Sequence, residues 1–581
     1  MFTNRLHATL ISACILAAWA GCDEPLSLNW QRQPTTRPAR IVIPPGVAGT
    51  VAQYADLVGA EPVTVRGYGV VVGLGRSGSS EVPPALRKRL TDQMYKHKLS
   101  SPMAGTSQLT PARILADEDT AVVGVSGVVP PAGPPNTRFD LNVEALRGTQ
   151  TTSLDGGVLM TVELHMALDE TVGTVREAKS WAIGRGVVFV NPFIDRGNPA
   201  DKAKLRVGRI LNGGTVTRGQ PLRLTLREPD YLVAHNIQER LNERFGKGLA
   251  KVARGKTPAM IELEIPPAYR DDYEHFLRLV MHVYLVGGPA GQEEHARQLS
   301  RAIVLPTARR EDISLVWEAM GRQVLPVIQP LYGSENLAAA FYAARAGLRL
   351  GDPLAVEPMI HLAKLADSSH QLQAVLELGR ARQFIQGVGV LRQLLAGKNQ
   401  LLRVAAYEAL LEHGSTGAIQ REDISGQFRL DIIQADADYT VYATRTGPPT
   451  IMLFGHNVPI YRPVFYCPPD ELVTINAMRD ASEISVYRKV PRTEKMSETF
   501  KLPPRVDELI RVLGKLPTQG RDGRPEGLGL TYSQVVRVLY GLCEEGHIPA
   551  EFVLQPAPAM RRIYGSTAAT GRPDVPEEER Q

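Results

Sequence analysis

Arg66-Gly-Tyr-Gly-Val-Val-Val-Gly-Leu-Gly-Arg-Ser-Gly78 decides how the rest of the chain is read. Its second half, Gly73-Leu-Gly75-Arg-Ser-Gly78, matches G-x-G-x-x-G after a Val run, the spacing that brings backbone N–H groups to a pyrophosphate at a helix start. In such a site the third glycine lies in the first turn of a helix. Here Ser79-Ser-Glu-Val-Pro83-Pro84 comes next, so a helix can begin only near Pro84. No βαβ unit with an acidic residue ending a second strand comes after it. The glycines are therefore expected in a strand and a hairpin, where they permit tight turns and close approach of neighbouring backbones.

Around this stretch short β-rich runs mix with a few helices. Val63 to Val72 and Thr120 to Val129 are Val-rich and bounded by Gly and Pro, as strands are. Phe139 to Val143, Val158 to Val162 and Leu222 to Leu226 read as further strands. Pro84 to Lys98 carries Leu86, Leu90 and Met94 at helical spacing. Asp230 is placed to cap a helix running to Phe245, with Ile237 and Leu241 on one face and Gly246 as its stop.

The order of these pieces resembles the bacterial flagellar P-ring protein family. Five blocks carry the resemblance: Gly67 to Leu74; Ala121 to Pro131 with Arg138-Phe-Asp-Leu-Asn-Val143; Ser153 to Met160; Gly208-Arg-Ile-Leu-Asn-Gly213; and Leu224 to Val286, which includes Leu241-Asn-Glu-Arg-Phe-Gly246 and Ile261 to Pro267. The resemblance implies a P-ring-like domain over 51–287, a non-catalytic structural role in the flagellar basal body, and head-to-tail homo-oligomeric assembly around the rod. Carried over by position, the candidate assembly contacts are Gly67, Tyr68, Gly69, Gly73, Arg138, Asp140, Leu154, Gly156 and Gly157. Implied partners are other copies of the chain, flagellar rod and outer-membrane ring proteins, and peptidoglycan. No cofactor is implied. Two departures stand out: Arg76-Ser-Gly-Ser-Ser80 replaces the family's Gly-Thr-Gly-Asp type ending, and its Asn-Glu-Arg-Thr-Gly type segment has no counterpart after Val286.

Beyond Gly287 the hydrophobic period changes, so 51–287 is expected to fold as a core separable from the C-terminal half of the chain. Residues 288–335 form a transition. Residues 336–414 are Ala- and Leu-rich helices broken at Gly351-Asp-Pro353, Asp367-Ser-Ser369 and Gly397-Lys-Asn399, a pattern resembling degenerate HEAT-type hairpins, with an ordinary helical bundle as the alternative. Residues 415–490 return to period two and are expected to make a small antiparallel β module. Residues 491–564 are expected to be a short α-rich module, and 565–581 a polar disordered tail. The fold class is α+β.

At the other end, Arg5 and the apolar run Leu10 to Trp19 read as an export signal over 1–21. Ala20-Gly21-Cys22 has the ending of a bacterial lipoprotein signal, which would place a lipid anchor on Cys22; simple cleavage is the alternative. Residues 22–50, with Pro25, Pro34, Pro38, Pro44 and Pro45, read as an extended tether. A chain of 581 residues, 43% hydrophobic and 22% charged, is long enough for several cores. Cys467 and Cys543 could pair or stay free, and are too few for a disulfide scaffold. A net charge of +5 with acids and bases interspersed argues against a nucleic-acid face.

Catalytic signatures fail in turn. Gly255-Lys-Thr257 resembles the end of a P-loop, but the glycine needed five residues earlier is Ala250. No G-x-S-x-G surrounds Ser77 or Ser126, and no H-E-x-x-H occurs among the twelve histidines. His275 and His282 would share a helix face about 10 Å apart, too far to hold a metal without a third ligand, so a solvated face is expected. The basic run Arg87-Lys-Arg89 is likewise expected to be solvated. Two function classes emerge: a P-ring-like basal-body subunit, or a membrane-tethered periplasmic adaptor that binds a protein through its helical segment.

Overall fold

A computed structural model describes residues 47–97, 110–166, 180–194, 198–246, 251–366, 368–468, 471–490, 495–518 and 526–556. The export signal, Cys22, most of the tether and the 565–581 tail lie outside the described residues. Val47 and Thr50, at the end of the expected tether, are buried, and Thr50 bridges to Tyr284.

After α1 (Val51–Tyr54) and β1 (Ala55–Val58) come β2 (Val63–Val72), α2 (Pro84–Lys96), α3 (Pro111–Leu115), β3 (Ala121–Val129), β4 (Arg138–Ala145), β5 (Val158–Met166), β6 (Ala182–Val187), α4 (Pro199–Lys202) and β7 (Val207–Val216). Strands β2 to β7 close a barrel in the order β2-β3-β4-β7-β6-β5. Alternation drives closure: Val65, Val71, Val123, Val125, Leu141, Val143, Leu159 and Leu164 fill its interior. On the outside, Val70, Val72 and Val122 meet Leu90 and Met94 of α2 and Ile114 and Leu115 of α3.

Next follow β8 (Leu222–Leu226), α5 (Tyr231–Phe245), β9 (Ala253–Thr257), β10 (Met260–Leu263) and α6 (Tyr273–His282). Strands β1-β8-β10-β9 form an antiparallel sheet. Asp230 caps α5 as its sequence anticipates, accepting from the N–H groups of Leu232 (2.7 Å) and Val233 (3.1 Å), a cap that contributes about 1 kcal/mol.

Helices α7 (Pro289–Ala302), α8 (Arg310–Met320), α9 (Leu325–Ile328), α10 (Leu337–Leu350), α11 (Val356–Lys364), α12 (Gln371–Arg380), α13 (Gln386–Leu395) and α14 (Gln400–His413) complete the helical part. α6, α8, α10, α12 and α14 stack as one row, and the helices between them pack against its members. The array thus begins with α6, inside the P-ring-like segment, and the expected break near Gly287 falls within it. Arg278 of α6 pairs with Glu311 of α8, and Arg349 of α10 reaches Asp272 before α6 and Glu377 of α12. The histidine face of α6 is not solvated: His275 Nε2 lies 2.6 Å from Glu318, and buried His282 lies 3.3 Å from Asp312, both on α8.

The rest is β11 (Ile419–Ile424), β12 (Phe428–Ile433), β13 (Thr440–Ala443), β14 (Thr450–Phe454), β15 (Val464–Tyr466), β16 (Val473–Ala477), β17 (Ile484–Arg488), β18 (Phe500–Leu502), α15 (Val506–Gly514), α16 (Tyr532–Glu544) and β19 (Glu551–Leu554). The sheet β15-β16-β17-β18 is antiparallel throughout. The sheet β11-β12-β14-β13-β19 is not, because β12 runs parallel to β14 and β13 parallel to β19. β18 and β19 come from beyond Val490 yet complete sheets begun before it, so the expected division at Val490 runs through one packed body. Cys467 and Cys543 are both free thiols, and burial pushes the Cys543 thiol up to about 12.

Candidate assembly face

The glycine stretch folds as β2 followed by a tight loop. Gly73 and Gly75 both adopt positive φ, +83° and +63°, which glycine adopts without steric penalty. Their N–H groups point at one carboxylate: Asp119 accepts from Gly73 N at 3.2 Å and from Gly75 N. A side chain of this chain thus occupies the place a phosphate would take.

Gly67 and Gly69 face β5. A Cβ on Gly67 would lie 2.6 Å from the Glu163 carbonyl oxygen, and one on Gly69 would lie 2.9 Å from Leu159. The close approach these glycines allow is made inside this barrel. Tyr68 points outward between them and is 37% exposed. Beside it, Glu163 is held below the ordinary carboxylate range: burial works the other way, but the hydrogen bond and charge of Lys96 outweigh it.

Leu154 is fully buried in the barrel core, and a Cβ on Gly157 would overlap Val71 and Leu74. Gly156, at φ +78°, turns the chain where a Cβ would sit 2.6 Å from the Gln534 amide of α16. Arg138 is exposed at the start of β4. Asp140 is enclosed, accepting from Asn212 N (2.6 Å), Gly447 N (3.1 Å) and Thr446 Oγ1, with Arg209 at 3.0 Å. The fold brings Gly67, Gly69 and Gly157 to the β2–β5 side, and Arg138 to a groove bordered by Val158 to Thr161 of β5. Gly73, on the Asp119 loop, lies next to Gly156, whose carbonyl oxygen would be 4.0 Å from a Cβ on Gly73.

Sequence reasoning misses several residues that matter here. β6 and β7 pair at Gly184–Gly214 and bridge again at Phe189–Arg209, but part between them. The parting lets β7 bulge at Asn212, which adopts φ +55°. Leu211 and Phe189 consequently leave the barrel and enter the core of the C-terminal body, where Phe189 packs on Tyr532 at 5.6 Å between ring centroids. Ser533 Oγ donates to Asp155 at 2.9 Å and accepts from Val190 N at 3.1 Å, and Arg537 pairs with Asp155. The glycines and Asn212 of Gly208 to Gly213 hint at the bulge; nothing local marks Ser533 or Arg537. Among the described residues no group of three potential ligands could hold a metal ion, and no helix is long and apolar enough to cross a membrane.

A closed barrel joined to an α/β layer, with its glycines used for backbone packing, defines a structural domain in this part of the chain. Residues 50–287, which comprise it, match the flagellar P-ring protein family. Similar proteins include the flagellar P-ring proteins of Anaeromyxobacter dehalogenans (strain 2CP-C), 34% identical over 39% of this chain and 57% of that one, and of Aquifex aeolicus (strain VF5), 30% identical over 35% and 52%. That of Paramagnetospirillum magneticum is 28% identical over 38% and 56%. The chain thus spans just over half the length of the curated relatives it matches. A crystal structure of an engineered protein aligns with 25% of this chain and 63% of its own at 22% identity and a TM-score of 0.16, which carries no structural argument.

Proposed function

We propose that this chain is a structural, non-catalytic component of the bacterial flagellar basal body, a P-ring-like periplasmic subunit that assembles with copies of itself around the rod and supports motility. The observation that carries this reading is the match of one continuous segment, 50–287, to the flagellar P-ring protein family. Rod and outer-membrane ring proteins are the expected partners, with Cys22 as the candidate lipid anchor. Gene deletion with swimming assays, plus mass spectrometry of purified basal bodies, tests it. Loss of swimming and recovery of the chain in basal bodies support the reading; full motility and absence from basal bodies overturn it.

The array α6 to α14 favours a second reading. It extends beyond the matched segment, and its stacked rows, resembling HEAT-type repeats, suit a tethered periplasmic adaptor that binds a protein partner. A motile deletion strain with the chain lipidated on Cys22 would favour it.

A further inference from the structure

We propose that Tyr231 and Leu232 form a knob that enters, on a second copy of this chain, the groove between the barrel and the C-terminal body. The partner rests on the proposed function, in which copies assemble; the contact is argued from the surfaces themselves.

Tyr231 and Leu232 are 75% and 81% exposed, more than any other large apolar side chain among the described residues of the P-ring-like segment. They are adjacent, at the first turn of α5, and the Asp230 cap fixes the backbone beneath them. Such a pair on a rigid support suits an interface anchor. Glu228 and Asp230 beside it are exposed acids, and Glu228 has no cation within ion-pair reach among the described residues.

The groove holds about 600 Å³, within the roughly 300–1,000 Å³ of pockets that enclose a small ligand. Val158, Met160, Val187 and Leu211 supply apolar wall. Arg138 and Arg185 stand on its border, exposed and without a carboxylate partner among the described residues. An apolar knob flanked by acids meets an apolar groove flanked by guanidiniums, an electrostatic match that also sets orientation. Knob and groove are different surfaces of one chain, the knob on the β8–α5 layer and the groove on β5, β6 and β7. Their contact is therefore heterologous, the kind that propagates head to tail and closes into a ring when the rotation allows.

The test uses the full mature chain, with sedimentation velocity across a concentration series and circular dichroism to verify folding. Leu232→Asp removes the knob, and Arg138→Glu with Arg185→Glu reverses the groove border; all three positions are exposed. Each variant should associate with itself about tenfold or more weakly than the wild type. Mixed together, they should form a one-to-one complex and nothing larger, since one keeps its groove and the other its knob. Glu228→Arg should restore association with the reversed groove. If the wild type associates and both variants match it, this contact is overturned while the ring-subunit reading stands. If the wild type remains monomeric at every concentration, the contact is overturned too, and swimming of the deletion strain decides the other reading separately.

Discussion

Arg537 of α16 pairs with Asp155 at the mouth of the barrel, a residue 382 positions earlier in the chain, and the two side chains are only 13% and 6% exposed. Breaking a buried pair by removing one partner strands the other charge, which costs about 3–5 kcal/mol. Arg537→Ala should lower unfolding stability by that order, and Asp155→Asn by less, because the amide still accepts from Ser533. Urea unfolding of both variants and of the double variant measures it. A loss below about 1 kcal/mol for Arg537→Ala, the range of exposed pairs, would mean that the pair does not hold the two bodies together.

The barrel does not present a finished surface by itself. Phe189 and Leu211 are 6% and 8% exposed only because the C-terminal body covers them. A fragment of residues 51–287 should bare both, with Asp140 deprived of Thr446 and Gly447 and Asp155 deprived of Ser533 and Arg537, and so self-associate nonspecifically. Light scattering should show polydisperse aggregates, and Phe189→Ser with Leu211→Ser should reduce them. A monodisperse, cooperatively melting fragment would restore the separability expected from the change in hydrophobic period.

The glycines should rank by what surrounds them. Gly67→Ala forces a Cβ to 2.6 Å from a backbone oxygen, and overpacking of this kind costs about 1–3 kcal/mol or more. Gly75→Ala has open space and meets only the left-handed backbone, about 1–2 kcal/mol. Gly69→Val should fail chiefly in folding, since its branches would strike Leu159. Thermal melts of the three variants decide the order; Gly75→Ala as the most damaging would refute it.

Asp119 should exclude nucleotides from the glycine loop. Calorimetry with NAD and ATP should show no saturable heat, and Asp119→Ala should destabilise the fold by about 1–3 kcal/mol, as amides lose their acceptor. Saturable micromolar binding by the wild type would reverse this.

Acid sensitivity should come partly from the helical array. Burial alone would raise the Glu377 pKa, but the charge and hydrogen bonds of Arg349, with Arg345 and Arg380, lower it to about 2. A carboxylate depressed in the folded state stabilises above its unfolded value, near 4.5, and that stability is lost as pH falls toward 2. The contribution is on the order of 3 kcal/mol at neutral pH. Glu377→Gln should lower stability at pH 7 and flatten its decline between pH 4.5 and 2. An unchanged acid profile would remove Glu377 from that role.

Local chemistry is legible in the sequence. Asp230 as a cap, Leu222 to Leu226 as a strand and a helix start at Pro84 all act within a few residues, and each is seen in the structure. The features that escape act at long range. Gly287 looks like a boundary because the sequence period shifts there, whereas the ion pairs joining α6 to α8 and α10 depend on residues with no regular spacing. Parallel pairing of β12 with β14 and of β13 with β19 leaves no mark on strand alternation. The family resemblance assigns the glycines to contacts between subunits, yet the tight contacts of Gly67 and Gly69 are with β5, a partner that hydrophobic pattern cannot name.

Because β19 lies against β13, one sheet of the C-terminal body gains its final strand only when residues 551–554 have emerged. The α16 helix, which brings Tyr532 onto Phe189, is likewise made late, so a chain stopped before it leaves Phe189 without that ring. A prematurely stopped chain would carry a well-made barrel bearing a sticky flank, a form that proteases and holding chaperones are suited to detect. The cover of the barrel's flank is thus supplied by residues made long after the barrel itself.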